Sequence, residues 1–395
     1  MPEGAGEGER TVEHGSGVDF HARGLNYWPD NEDLSNELTR LLGAAQDGGS
    51  TVSECLRTAS RIDPSDEDHW YREWKQTADA SQARGNDALR RGNVPTAQSN
   101  WLRAISYYQA ALYPLAAADS RTKAALARMR MCARRYLEHL APAGEVVEIP
   151  WLDHHALQGY FVPAASCPGP APVVICIGEP GSRKEEYLYK MARHARERGM
   201  AMLAVDLWGA GTGEGFEALA GRPELETAIS HVMDYLEQRE DVDTGRIAIL
   251  GDGAGSSFVA RGVAFDRRFA AAVCDGGIWD LQEQTFLANR IVALDSGLAA
   301  VNRRRSIARH IKCPVLVTLG EHGWLGRDRA TLLFEQIKAS HRDIQLKIFS
   351  GAETAAAQGH ADNPTLANEY IFDWIAERLA TDARDSLGLR RRAQA

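Results

Sequence analysis

From Gly144 onward the chain alternates short apolar runs with amphipathic stretches, and this alternation restricts the fold more than any other feature. Glu145 to Ile149 alternates like a half-buried strand, and Gln158 to Val162 reads as its hairpin partner. Pro172 to Ile177, Ala201 to Asp206, Arg246 to Leu250, Phe269 to Cys274, Pro314 to Leu319 and Ile344 to Ile348 are then nearly continuous apolar runs. Helical patterns such as Glu185 to Arg198 and Glu224 to Glu237 separate them, the latter ended by an Asp241 to Gly245 turn. Strands apolar on both faces and spaced by helices predict a mostly parallel, doubly wound α/β sheet. Ligands of such sheets bind at the carboxyl ends of the strands, so the residues that follow each strand are the functional candidates.

The part before Gly144 reads differently. Residues 1–20 are acidic and Gly-rich and are expected to be disordered, while Leu34 to Leu140 is helical in pattern. Asp63-Pro64-Ser65 predicts a helix start. Trp70 and Trp74 share one face of that helix, and Trp101, Ile105 and Tyr108 line the next, stripes that read as core. The expected organisation is a helical cap over residues 21–143, an α/β domain over 144–380 and a basic tail over 381–395 carrying Arg390, Arg391 and Arg392. The cap is expected to cover the strand ends and enclose a pocket there.

A net charge of −9 argues against nucleic acid as a partner. No run approaches a membrane span, and the first residues lack a signal-peptide pattern, so no membrane and a cytoplasmic location are expected. The six scattered cysteines have no CxxC spacing, and His154-His155 has no ligand at metal spacing, so no metal and no cofactor are expected.

The most specific local feature is Gly251-Asp252-Gly253-Ala254-Gly255, between an apolar strand and a helix. This is the context of a Gly-x-Ser-x-Gly nucleophile elbow, in which small residues must flank the central one. Here the central residue is Gly253, which cannot form an acyl-enzyme.

Further stretches carry a family resemblance. They are Trp101-Leu102-Arg103-Ala104 with Tyr107-Tyr108, Val147 to Phe161, Gly181 to Glu186, Asp206 to Gly213, and Asp362-Asn363 followed by Ile371 to Trp374. In this order they resemble one branch of the α/β hydrolases. That branch holds the fermentation-respiration switch protein, the dihydroxy-pseudo-oxynicotine hydrolase and fungal enzymes that shorten polyketides by C–C cleavage. The resemblance, over about Trp70 to Leu379, implies an α/β-hydrolase fold with an N-terminal helical cap. It places the family acid at Gly323, in Gly320-Glu321-His322-Gly323, and the family histidine near Gln358. Serine, acid and histidine positions therefore all depart from the family pattern.

What remains can still support chemistry. Ala254 at the helix start, with Glu179 or Gly181 of the facing loop, can form an oxyanion hole, since Pro180 has no N–H to give. Candidate acids and bases are His360, Asp275, Glu321 and Asp252, all at strand ends or in the loop before the last helix. Gly253, His322 and Gln358 line the same region, and Trp208, Tyr187, Trp279 and Tyr107 are aromatic candidates for contact with substrate. Ser256 and Ser257 lie too far into the helix to replace an elbow serine, and Lys184, Glu185 and Glu186 read as a solvated helix start. His360 is expected to move a proton with an ordinary pKa near 6.5, and its replacement to spare the fold. The expected function is a cofactor-independent, non-hydrolytic enzyme, with a homodimer as the expected assembly; the resemblance alone implies a medium-sized, aromatic or polyketide-like carbonyl compound as its substrate. The alternatives are a non-catalytic binding protein and a hydrolase with reassigned residues.

Overall fold

The computed structural model describes residues 26–116, 118–152, 155–178, 182–207, 225–253, 255–277, 310–339, 341 and 343–393. Five helices come first: α1 (Glu32–Gly43), α2 (Val52–Ala59), α3 (Glu67–Arg90), α4 (Val94–Leu112) and α5 (Ser120–Glu138). Side chains that prefer helix starts begin four of them: Asn31, Thr51, Asp66 and Asp119 each accept a bond from a first-turn N–H. The expected start at Asp63 is displaced, because Asp63 instead closes a turn onto Ser65 N (3.0 Å) and leaves the capping to Asp66.

The sheet has β1 (Glu145–Leu152), β2 (His155–Val162), β3 (Ala171–Ile177), β4 (Ala201–Asp206), β5 (Val242–Asp252), β6 (Ala271–Asp275), β7 (Val315–Gly320) and β8 (Ile344–Phe349). Its order is β1-β2-β4-β3-β5-β6-β7-β8, with β2 antiparallel to both neighbours and β4 to β8 joined by parallel pairings. The connecting helices are α6 (Lys184–Lys190), α7 (Ala192–Glu197), α8 (Leu225–Glu237), α9 (Gly255–Phe265), α10 (Arg327–Lys338) and α11 (Pro364–Ala393). This is the α/β-hydrolase architecture that the resemblance implies.

Three boundaries differ from the sequence reading. The single helix expected over Glu185 to Arg198 breaks at Met191, where Asn368 Nδ2 takes the Lys190 carbonyl (3.0 Å). The Asp241 to Gly245 turn is largely strand, since β5 begins at Val242. The last helix runs to Ala393, so its backbone takes in the stretch expected as a tail.

Alternate strand residues feed two cores. Val173, Ile175 and Ile177 join α8, α9 and α10 on one face, while Val174 and Cys176 join α6, α7 and α11 on the other. The N-terminal helices merge with this second core, and Trp70, Trp74, Trp101, Tyr107 and Tyr108 are buried inside it. They lie against the helices of one face and approach the strand ends at α6 and at the start of α11. Residues 208–224 and 278–309, which hold the pocket candidates Trp208 and Trp279, lie outside the described residues.

The start of α6 overturns an expectation. Lys184 and Glu185 are buried, not solvated. Lys184 Nζ meets Asp206 Oδ2 at 2.6 Å, and Lys184 N donates to Asp206 Oδ1 at 2.7 Å. Glu185 accepts from Tyr160 Oη at 2.8 Å and lies 3.7 Å from Arg130 Nε of α5. Strand-end Asp206 thus draws in the lysine and caps the helix, and Glu185 links the sheet to the N-terminal helices. Burial pushes the Asp206 carboxyl up, whereas for Glu185 the Lys184 charge and the Tyr160 bond outweigh burial and pull it down. Removing one member of such a group leaves a buried charge uncompensated. Asp206→Asn should therefore cost about 3–5 kcal/mol in urea unfolding, and Lys184→Met with Asp206→Leu should recover most of it. A single-variant loss below about 1 kcal/mol, the range of exposed pairs, would contradict this account.

Candidate active site

The turn between β5 and α9 is built as an elbow. Gly253 has φ +56, a left-handed conformation that other residues adopt only under strain. A Cβ on Gly251 would stand 2.7 Å from the Gly255 backbone, and one on Gly255 would stand 2.8 Å from the Ile177 carbonyl, so both flanking positions exclude side chains. The turn is fastened to the end of β6. Gly253 N donates to the Asp275 carbonyl (2.7 Å), and Ser256 Oγ donates to the carbonyls of Gly251 (3.0 Å) and Asp275 (3.2 Å). Ser256 is fully buried in this structural task, which removes it as a displaced nucleophile.

Asp275 joins the elbow, bonded to its backbone carbonyl, to His360, bonded to its side chain. Its Oδ1 accepts from Thr318 Oγ1 of β7 (2.7 Å) and pairs with His360 Nε2 (2.7 Å). His360 Nδ1 lies 2.6 Å from the Ala355 carbonyl. Both residues are buried, 2% and 3% exposed. Burial alone would lower the imidazole pKa, but the Asp275 charge and bond and the Ala355 carbonyl outweigh it and raise it above the ordinary 6.5. Burial alone would raise the Asp275 carboxyl. The charge and bond of His360, then Lys190 and Thr318, outweigh it and hold the carboxyl below its ordinary value. A carbonyl only accepts, as does a carboxylate when ionised, so these two contacts suit a ring with hydrogen on both nitrogens. This departs from the expected base of ordinary pKa: the imidazole is raised above 6.5 and both of its nitrogens are engaged.

His360 stands on strained backbone. Thr354, Ala355 and His360 all have positive φ (68°, 57° and 54°), at a cost of about 1 kcal/mol or more each, so the surrounding structure has to impose it. Phe349 at the end of β8 packs its ring edge-on to the imidazole, with centroids 5.0 Å apart.

A second charged group lies on the α6 side. Lys190 pairs with Asp252, which stands beside Asp275 in the β5–β6 register. Burial would lower the Lys190 pKa, but Asp252 and Asp275 outweigh it and raise it. One turn earlier on the same helix face is Glu186, half-buried, with no side-chain hydrogen bond among the described residues. Burial pushes its carboxyl up to about 7 against the pull of Arg40 and Lys190. Sequence reasoning passed over Lys190 and read Glu186 as part of a solvated helix start. The signal present was their i, i+4 spacing, one turn beyond the buried Lys184.

The other candidates disperse. Glu321 accepts from Gly351 N (2.9 Å) and pairs with Arg327 (3.2 Å), knitting the loop after β7, and the His322 side chain is exposed beside Gly351. Gln358 Oε1 accepts from Trp324 N (3.0 Å) and lies 3.0 Å from where a Cβ on Gly323 would be. The positions expected for the family acid and histidine are thus adjacent in space, while the carboxylate and imidazole stand deeper, at 275 and 360. Tyr107 is a core residue rather than a substrate contact, because its hydroxyl donates to Glu54 (2.8 Å) and accepts from Thr51 N (2.9 Å) inside the helical segment. Tyr187 is buried with its hydroxyl against Gly178 at the end of β3. Ala254, Glu179, Gly181, Trp208 and Trp279 lie outside the described residues. Among the described residues no group of three His, Cys, Asp or Glu side chains could hold a metal, and no helix is long and apolar enough to cross a membrane.

The ion pair has a pH signature. The His360 contribution to stability is complete below about pH 6.5 and is lost as pH rises through its raised folded pKa. The Asp275 contribution is present above its ordinary value of 3.8 and is lost as pH falls through its depressed folded pKa. His360→Gln should therefore destabilise by about 3–5 kcal/mol near pH 6, leaving Asp275 as an unpaired buried charge. The gap to wild type should narrow as pH rises above neutrality. A difference that is small or independent of pH would refute the ion pair. The expectation that His360 can be replaced without cost to the fold is withdrawn on the same ground.

Comparisons with known proteins agree with this architecture. Residues 62–287 match the family model described as esterase FrsA-like. The alpha/beta hydrolase xenA of Xenoacremonium sinensis is 32% identical over 262 residues, covering 62% of this chain and 60% of the relative. The hydrolyase poxO of Penicillium oxalicum is 30% identical over 275 residues, covering 66% and 64%. The 20-hydroxy-prefusarin hydrolase FUS2 of Gibberella moniliformis is 32% identical over 262 residues, covering 63% and 61%. The chain thus spans about three-fifths of the length of these curated relatives. Among solved structures, the 2,6-dihydroxy-pseudo-oxynicotine hydrolase superposes with a TM-score of 0.67 at 23% identity, covering 86% of this chain and 96% of that one. With more than half of its residues matching the family model, the chain belongs to the FrsA-like esterase family of α/β hydrolases.

Proposed function

We propose that the chain is an enzyme that acts on a medium-sized, aromatic or polyketide-like carbonyl compound of secondary metabolism by proton transfer, with no covalent intermediate. Cyclisation, elimination, isomerisation and C–C lyase reactions fall in this class. The observation that carries the reading is the closed His360–Asp275 ion pair bonded into an elbow whose central residue is Gly253. An elbow without a hydroxyl has nothing to acylate, and an imidazolium with both nitrogens engaged has no use as the base of a serine. It is instead a fixed positive charge, suited to holding an enolate, phenolate or alkoxide as it forms. Glu186 takes the role of proton carrier, since a carboxyl pushed up to about 7 exchanges its proton near neutrality and is not tied to another protein group among the described residues. The substrate class rests on the relatives, one of which is named for a prefusarin compound.

A second reading is favoured by those same names. Relatives called hydrolases suggest water in place of the serine hydroxyl, activated by Glu186 or by Asp275. Oxygen and hydrogen isotopes separate the two. The purified protein would be given β-hydroxy and β-acyloxy aryl ketones in H2 18O and, separately, in D2O. The proposal predicts solvent deuterium at the carbon next to the carbonyl, introduced where the enolate is reprotonated in exchange or C–C cleavage, and no 18O in any carboxylate released. Glu186→Gln should lower kcat by about 10²-fold or more with little change in KM. Incorporation of 18O into a new carboxylate would favour the hydrolytic reading, and fluorophosphonate labelling of Ser256 or Ser257 would overturn both.

A further inference from the structure

The loop that carries His360 is held in two halves by different parts of the protein. Within the loop, the Asp362 carboxylate accepts from Ala356 N (3.1 Å) and Ala357 N (3.0 Å), and Asn363 Nδ2 donates to Thr354 Oγ1 (2.9 Å). These bonds fix the stretch that ends in the Ala355 carbonyl facing His360 Nδ1. The other half, Ala361 to Thr365, is fixed from outside by the N-terminal helices. Gly43, at the end of α1, lies so close to the Ala361 carbonyl and to Pro364 that a Cβ there would collide with both.

A few residues on, Asp47 reaches the same place. Its side chain is 1% exposed. Its Oδ2 accepts from Thr365 Oγ1 at 2.7 Å. Its Oδ1 accepts from Arg193 Nη2 at 2.6 Å and lies 3.2 Å from His194 Nε2. Thr365 is buried in the first turn of α11, five residues after His360. One carboxylate therefore ties the α1–α2 connection to α7 and to the start of the helix that follows the site histidine.

We propose that Asp47 is a positioning residue, through which the N-terminal helices hold the start of α11 and so keep the His360 imidazole against Asp275. The argument is mechanical. The positive φ at Gly359 and His360 is a conformation the chain leaves if its downstream anchor loosens. Asp362 cannot supply that anchor, because its bonds run backward into the same loop. Downstream of His360, Thr365 and Gly43 tie the helix start to the N-terminal helices, while Asn368 ties the next turn to the Lys190 carbonyl of α6. The N-terminal helices are then part of the site as a frame, although Asp47 touches neither His360 nor any reacting atom. The inference rests on the reading of His360 as a site residue. Its test observes the imidazole directly, without substrate, so it can fail independently of the proposed chemistry.

The experiment follows the His360 imidazole by NMR across pH in the full chain, assigned with His360→Gln. The charged groups that face this imidazole are Asp275 from β6 and Lys190 from α6. Thr365→Val keeps the volume and removes the hydroxyl, so the imidazole should drift from Asp275 and its pKa should fall by about half a unit or more toward the ordinary range. Thr365→Ser restores a hydroxyl and should titrate like wild type. Asp47→Asn should shift His360 in the same direction as Thr365→Val. Urea unfolding of each variant supplies the control. A loss of stability with an unchanged His360 titration would mean that Asp47 only glues helices together, and would overturn the proposal. So would a Thr365→Ser protein that titrates like Thr365→Val.

Discussion

The contact between His360 and Asp275 is 2.7 Å long and closed off from water, and an ion pair so placed exists only if everything around it is arranged first. The structure meets that condition from several sides. Thr318 on the neighbouring strand donates to the same carboxylate oxygen, Ala355 receives the far side of the imidazole, and Phe349 covers its edge. The parallel pairing of β5, β6 and β7 puts Asp252, Asp275 and Thr318 side by side at their carboxyl ends. The Asp275 backbone then receives the elbow N–H of Gly253. One residue thereby couples the Gly253 turn to the loop that carries His360. Such a pair is weak evidence of stability, because apolar side chains of similar volume often serve as well.

Much of the fold was legible because burial on both faces leaves a plain mark in sequence. Val173 to Ile177 and Ala201 to Val205 are apolar at every position since one face meets α8 and α9 and the other meets α6 and α11. The glycines at 251, 253 and 255 were legible for a similarly local reason, a turn too tight for side chains. Asp275 and His360 were each identifiable as residues that follow strands. Their pairing was not, because it joins positions 85 apart in the chain through a loop whose left-handed residues include Thr354, Ala355 and His360. None of those residue types announces positive φ. Counting back from Asp362 placed the family histidine at Gln358, and nothing local shows that the chain twists at Gly359 to turn His360 inward.

The misreadings share a cause. Lys184, Glu185 and Glu186 look like a solvated helix start because charged residues usually are. Lys184 and Glu185 are buried because Asp206, Tyr160 and Arg130 arrive from distant elements to meet them. Tyr107 looks like a substrate contact because the family places aromatic residues in its cap, yet Glu54 and Thr51 satisfy its hydroxyl within the helices. Charge and aromaticity can be read from sequence, whereas the partners that decide their meaning are set by tertiary structure.

The fold thus joins a glycine-centred turn at Gly253 to a buried imidazole–carboxylate pair. Whether that imidazole is a fixed cation or a free base decides what chemistry the site can perform. The direct measurement is 15N NMR of the His360 side chain at pH 7 in protein labelled at the histidine ring nitrogens. The account predicts that both nitrogens are protonated, each showing a one-bond coupling to hydrogen and an imidazolium shift. A neutral ring, with one nitrogen lacking hydrogen and shifted accordingly, would contradict it and return His360 to the role of a conventional base.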